Sequence, residues 1–185
     1  MTGVYPSAHG VVQPRGSRLP ASLPTLAERL AQAGYRTAAV TENGHLLPES
    51  GFARGISDYV EFTGEIRGAP PGRADQTFGR AAQWIENHRD EVFFLFVHTY
   101  QVHWPYDPPS QHDVFAPVSE RGREFPSTAE ILMEEEARRE FAGAAKLAYL
   151  GELRFADDEF AQLLSALDAS SLRDRTILVL SLIHI

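Results

Sequence analysis

Cysteine is absent from all 185 residues. That excludes a disulfide scaffold, a thiolate metal site and a cysteine nucleophile within the chain, and leaves the compartment open. Lysine is nearly absent too: of 17 basic residues, only Lys146 is lysine. With arginine and alanine dominant, we read this as a GC-rich coding bias rather than as arginine chemistry. No apolar run approaches the roughly 20 residues that span a bilayer. Met1 to Gly10 has neither the basic start nor the apolar stretch of a secretory signal. The phosphate-cradling Gly-x-Gly-x-x-Gly and P-loop patterns are missing, as is the Gly-x-Ser-x-Gly nucleophile elbow. No internal repeat and no low-complexity segment is found. A formal net charge of −8 argues against non-specific nucleic-acid binding.

What is present fits a globular α/β protein. With 43% hydrophobic and 23% charged residues the chain is not of disordered composition. Its length suits one domain or a piece of a larger one, burying roughly 70% of its unfolded surface. Pro6, Pro14, Pro20 and Pro24 make the first 24 residues irregular. Thr25 and Glu28 then form a capping-box pattern. It opens a short helix with Leu26, Leu30 and Ala33 on one face and Gly34 as its left-handed cap. Tyr35 to Thr41 reads as a buried strand. Asn43 to Gly72 reads as loop-rich, with no strand assigned in it. Asp75 to His88 carries a core-facing helical stripe of Phe78, Ala81, Ala82 and Ile85. The run from Val92 to Val97 predicts a strand covered on both faces. His103 to Pro126 is irregular and rich in proline. Thr128 to Leu167 is helical, with a division expected near Gly143. Thr176 to Leu180 predicts a third strand. Helices alternating with strands imply right-handed crossovers and a parallel sheet with helices on both faces.

In such sheets ligands bind beyond the carboxyl ends of the strands. The richest segment there is His98-Thr99-Tyr100-Gln101-Val102-His103-Trp104-Pro105-Tyr106. Histidine can donate a hydrogen bond to an oxyanion, bind a metal or shuttle a proton. For His98, at the strand end, the expectation is a hydrogen bond to a backbone carbonyl. For His103, in a loop stiffened by proline, it is function. The five-residue separation of the two histidines fits no compact zinc spacing. His45 follows the first strand and reaches the same sheet edge if the strands are neighbours; a surface-loop histidine is the alternative. Glu134-Glu135-Glu136 reads as a solvated helix face, and Asp157 and Asp158 as partners for Arg154.

Several blocks, in order, resemble the sulfatase family of the alkaline-phosphatase-like superfamily. Thr2-Gly3-Val4-Tyr5-Pro6 with His9-Gly10-Val11 is similar to its "T-G-x-Y-P … H-G-V". Pro24 to Glu28, Leu30 and Ala33 to Ala38 resemble "P-T-L-A-E-x-L-x-x-A-G-Y-x-T-A". Gly51 to Gly55 with Asp58 and Tyr59 resemble "G-F-x-R-G-F-D". Phe93 to Phe96 followed by His103-Trp104-Pro105-Tyr106 resemble "F-F-L-F … H-x-P-Y". Tyr149, Glu152, Asp157, Leu163, Leu164 and Leu167 are similar to "Y … E-I … D … L-L-x-x-L", and Thr176 to Leu180 to the strand before "S-D-H-G".

The resemblance implies an alkaline-phosphatase-like parallel-sheet sandwich, truncated at both ends, and a parent that hydrolyses sulfate esters. The substrate would be a sulfated small molecule or glycan. The family's nucleophile is a formylglycine made from Cys or Ser in "C/S-x-P-S-R", and calcium stabilises charge on the sulfate oxygens. His103 would be catalytic and contact the sulfate group; His45 would match the substrate-binding histidine of "G-K-W-H". The lysine of that motif is missing from Glu42-Asn43-Gly44-His45. The nucleophile is expected before Met1, and no metal ligand is assigned within the chain, so the fragment itself is expected to be inactive. A phosphoryl hydrolase or phosphotransferase on the same scaffold, or a binding module that lost the chemistry, are the alternatives. Residues 1–179 read as a partial catalytic domain. Residues 180–185, ending Ser181-Leu182-Ile183-His184-Ile185, resemble the translated end of a transposase adapter, with a native strand continuation as the rival reading.

Overall fold

A computed structural model describes residues 2–11, 17–42, 46, 48–62 and 72–181. The elements in chain order are α1 (Pro6–His9), α2 (Leu26–Gln32), β1 (Arg36–Glu42), β2 (Asp58–Phe62), α3 (Ala74–Asn87), β3 (Phe93–His98), α4 (Thr128–Met133) and α5 (Glu135–Ala169). The three strands form one parallel sheet in the order β2-β1-β3. The fold is the expected α/β class.

The local signals act as read. Thr25 Oγ1 accepts from the Glu28 N–H at 3.0 Å, and Glu28 Oε2 accepts from the Thr25 N–H at 2.8 Å, so the capping box that opens α2 is closed in both directions. Gly34 has φ +88°, the left-handed conformation that ends the helix. Successive β1 side chains alternate between faces. Ala38 and Val40 join the core with Phe78, Ala81, Trp84 and Ile85 of α3 and Phe155, Leu163 and Leu167 of α5. On the opposite face Phe96 and Tyr59 meet Phe52, at 5.1 Å and 6.2 Å between ring centroids.

Four expectations are corrected. First, β2 lies in a stretch read as loop-rich. Its five residues are too short to announce themselves, and they are fixed by contacts distant in sequence. The Arg36 guanidinium grips both Asp58 oxygens at 2.9 Å, and the Trp84 indole N–H donates to Asp58 at 3.1 Å. Second, residues 176–180 are extended at Thr176 but pair with no described strand. Ile177 is 93% and Val179 83% exposed. An apolar, β-branched sequence makes a strand only where a sheet edge receives it. Third, β3 is half-buried rather than covered on both faces, because only β1 pairs with it among the described residues; the fully enclosed strand is central β1. Fourth, the long helical segment breaks at Glu134, not at Gly143. Ser127 and Glu130 close a second capping box that starts α4. Gly143, inside α5, costs about 1 kcal/mol, which the helix formers around it and the packing of the helix absorb. Residues 182–185, most of the segment resembling an adapter, lie outside the described residues.

Candidate functional site

The register places Thr41 of β1 opposite His98 of β3, so both strands end side by side. Two buried carboxylates work at this edge. Glu42 closes β1 and is 3% exposed. Its Oε2 accepts from the backbone N–H groups of Arg73 at 3.0 Å and Tyr100 at 2.8 Å, and its Oε1 accepts from the Thr77 hydroxyl at 2.6 Å. Glu152, on the buried side of α5, is 1% exposed. It accepts from the Asp107 N–H at 2.8 Å and from the Gln101 side-chain amide. Burial pushes the Glu152 carboxyl above its ordinary value, against the two hydrogen bonds that pull it down. Gln101, 5% exposed, completes the connection: its Oε1 accepts from the Ala74 N–H at 3.0 Å, at the start of α3.

These contacts hold the segment from Tyr100 to Asp107 at both ends. Two glycines let neighbouring backbone reach it. Gly72 has φ +109°, and a Cβ there would lie 2.3 Å from the Gln101 Cα. At Gly151 an added Cβ would lie 2.9 Å from the Pro108 Cβ. Between the anchors the chain turns, with the His103 N–H donating to the Tyr100 carbonyl at 2.9 Å. The His103 side chain is exposed. Its Nδ1 lies 2.6 Å from the Trp104 carbonyl. A carbonyl only accepts, so Nδ1 carries the proton, and Nε2 is left as the ring atom available to a ligand. The Trp104–Pro105 peptide bond is cis. The Trp104 indole N–H donates to the Pro126 carbonyl at 3.1 Å, and its ring meets Tyr106 and Phe125.

His98 sits below, its ring 5.1 Å from that of Tyr100, which in turn lies 4.9 Å from His103. Burial pushes the His98 imidazole below its ordinary value, against the charge of Glu42 and a hydrogen bond to the Glu42 backbone. Nδ1 of His98 is buried without a partner among the described residues. His45 lies outside the described residues, so its convergence with His103 is not described. Asp158 meets His112, at 3.0 Å, rather than Arg154. Glu134 to Glu136 are exposed, as expected of a solvated face. Among the described residues no group of three or more His, Asp or Glu side chains could hold a metal ion, so the calcium implied by the resemblance finds no ligand set here.

Reading the sequence missed Glu42, Gln101 and Glu152 as builders of this edge. A signal existed for Glu152: it falls on the stripe of buried positions Ala148, Gly151 and Phe155, where an acidic residue needs donors.

The sequence model of sulfatases matches residues 1–181. The chain belongs to the sulfatase family. A solved structure described as BT4656 in complex with its substrate D-glucosamine-2-N,6-O-disulfate has a TM-score of 0.65 to this chain at 16% identity. The match covers 94% of this chain and 52% of the other, so the chain spans about half the length of that protein. The likeness shows a shared fold. No curated protein matches.

Proposed function

We propose that these residues form the central part of a sulfuric-ester hydrolase and that His103 contacts the sulfate group. One observation carries the reading: in a chain matched to sulfatases over residues 1–181, the histidine of the "H-x-P-Y" segment stands exposed at the carboxyl edge of the parallel sheet, in a turn held by buried carboxylates. With Nδ1 bonded to the Trp104 carbonyl, Nε2 serves the ligand. Protonated, the ring donates from Nε2 to a sulfate oxygen and adds positive charge where negative charge gathers. His45 is the second substrate-binding histidine in this reading. The nucleophile motif "C/S-x-P-S-R" is not among the 185 residues, and the calcium of the intact enzyme would take its ligands from outside them; among the described residues no group of three or more His, Asp or Glu side chains could hold it. The chain by itself therefore binds but does not turn over. The substrate class is a sulfated small molecule or glycan; BT4656 acts on a disulfated glucosamine.

The test is a titration of the 185-residue chain with inorganic sulfate, followed by imidazole NMR, beside an assay with 4-nitrophenyl sulfate and calcium. Sulfate should move the His103 ring signals, His103→Ala should abolish the response, and no hydrolysis should occur. In the full-length enzyme the same substitution should lower kcat/KM about 10²–10³-fold. A silent His103, or calcium-dependent turnover by the chain alone, would contradict the proposal.

A further inference from the structure

We propose that Glu42 and Glu152 are positioning residues for His103 and that they differ in kind: position 42 works with an amide, whereas position 152 requires a carboxylate. The inference rests on the reading of His103 as the sulfate-contacting residue. Glu42 ends β1, one residue before Asn43, the position at which the sequence lacks the family's lysine. Its carboxylate is turned inward as a tether for the Tyr100 end of the turn, and Glu152 tethers the Asp107 end.

The two tethers face different donors. At Glu42, one oxygen takes two backbone N–H groups, and the other takes only the Thr77 hydroxyl. A hydroxyl donates or accepts. In Glu42→Gln the amide oxygen can keep Arg73 and Tyr100 while its NH2 donates to a reversed Thr77 hydroxyl, so each of the three existing contacts still pairs a donor with an acceptor. At Glu152 neither partner can reverse. The Asp107 donor is backbone N–H. The Gln101 amide is locked in orientation, because its own oxygen accepts from the Ala74 N–H at 3.0 Å. A glutamine at 152 offers one oxygen to two donors. Rotating Gln101 only moves the clash, setting its NH2 against the Ala74 N–H. One donor-to-donor contact remains buried in every arrangement, and buried donors without acceptors are costly.

The same logic gives a rescue. In the exchange Gln101→Glu with Glu152→Gln, the new carboxylate accepts from Ala74 and from the amide NH2 at 152, and the amide oxygen at 152 keeps Asp107. Charge and partners are all restored with the acid moved across the contact.

The experiment is imidazole nitrogen NMR and amide hydrogen exchange on the 185-residue chain, comparing wild type, E42Q, E42A, E152Q and the exchange variant. Wild type and E42Q should show His103 with its proton on Nδ1 and slow exchange at Tyr100 and Asp107. E152Q should lose roughly tenfold protection at Asp107, and E42A the same at Tyr100. In both, His103 should spread over its two tautomers. The exchange variant should recover the wild-type pattern, which keeps the test decisive even if E152Q alone fails to fold. E152Q behaving like E42Q, no recovery in the exchange variant, or an unaltered His103 tautomer in E42A and E152Q would each overturn the proposal. A sulfate titration of wild type run alongside separates the two levels: no response at His103 would sink the sulfate reading, while tautomer and exchange still decide whether the carboxylates position the ring.

Discussion

Two glycines in the same helix should respond with opposite sign to the same substitution. Gly143 and Gly151 both lie within α5. An added Cβ at Gly143 meets nothing within 4 Å; at Gly151 it would lie 2.9 Å from the Pro108 Cβ and 3.0 Å from the His112 carbonyl oxygen. Replacing glycine by alanine in a helix interior gains about 1 kcal/mol from backbone entropy alone. Gly143→Ala collects that gain. Gly151→Ala must also push the Pro108 segment away, and overpacking of this kind costs typically about 1–3 kcal/mol. The net effect at 151 is a loss of about 1 kcal/mol. For a domain of this size that is roughly 2–4 °C in Tm, downward at 151 and upward at 143. The displaced segment begins one residue after Asp107, so Gly151→Ala should also speed amide exchange at Asp107, whose N–H is bonded to the neighbouring Glu152. Thermal melting of the two variants with exchange at Asp107 is the assay. If both variants stabilise equally, the seat of the 107–112 segment on α5 is wrong, and the tether at Glu152 with it.

Acid should weaken α2 through Glu28, whose carboxyl is held at about 2 rather than 4.5, first by the Arg54 guanidinium and then by the Thr25 N–H. A depressed folded value means this stability is present above pH 4.5 and lost as pH falls towards 2. For a partly solvated pair it amounts to about 1 kcal/mol, so Glu28→Gln should flatten the acid limb of a stability-versus-pH curve by that much; an unchanged limb would refute it. Asp58→Asn keeps one acceptor but breaks the two-point grip of Arg36 at the start of β2. It should cost about 1–2 kcal/mol in denaturant melts and alter the emission of Trp84, whose indole shares the Asp58 carboxylate; unchanged stability would show that packing alone seats the strand.

The elements that were legible carry their cause within a few residues. The Thr25–Glu28 box, the Phe78–Ala81–Ile85 stripe and the apolar run at Phe93 are local statements, and the chain obeys them. β2 and residues 176–180 fail in opposite directions for one reason. A strand is a relation between two edges. Asp58 to Phe62 acquires its partner through Arg36 and Trp84, far away in sequence, whereas Ile177 to Leu180 has the right composition and no described edge to join. Gly143 misleads differently: glycine weakens a helix by an amount that its neighbours outweigh, so it marks a break only when a cap or proline accompanies it. At Glu134, where the break occurs, the Ser127–Glu130 box had already started a separate short helix.

The candidate site was half legible, and the missing half has a physical signature. His103 stood out as a candidate because an exposed histidine beyond a strand is read from its position alone. The carboxylates that hold its turn were passed over because acidic residues are read first as solvated. Yet position already separates the two cases. Glu134, Glu135 and Glu136 run consecutively from the break into the first turn of α5, so no single buried stripe can contain them, and they are exposed. Glu152 stands alone, four residues after buried Ala148 and three before buried Phe155. Glu42 ends a strand whose preceding five residues are all buried. A single charge continuing a buried pattern cannot be solvated without breaking the pattern, so it must find donors inside. At a sheet edge the donors on offer are the free N–H groups of loops and helix starts, such as those of Tyr100, Arg73 and Asp107. A buried glutamate at the carboxyl edge of a parallel sheet is therefore best sought as the fastening of a loop that leaves the sheet there, as Glu42 and Glu152 fasten the segment from Tyr100 to Asp107.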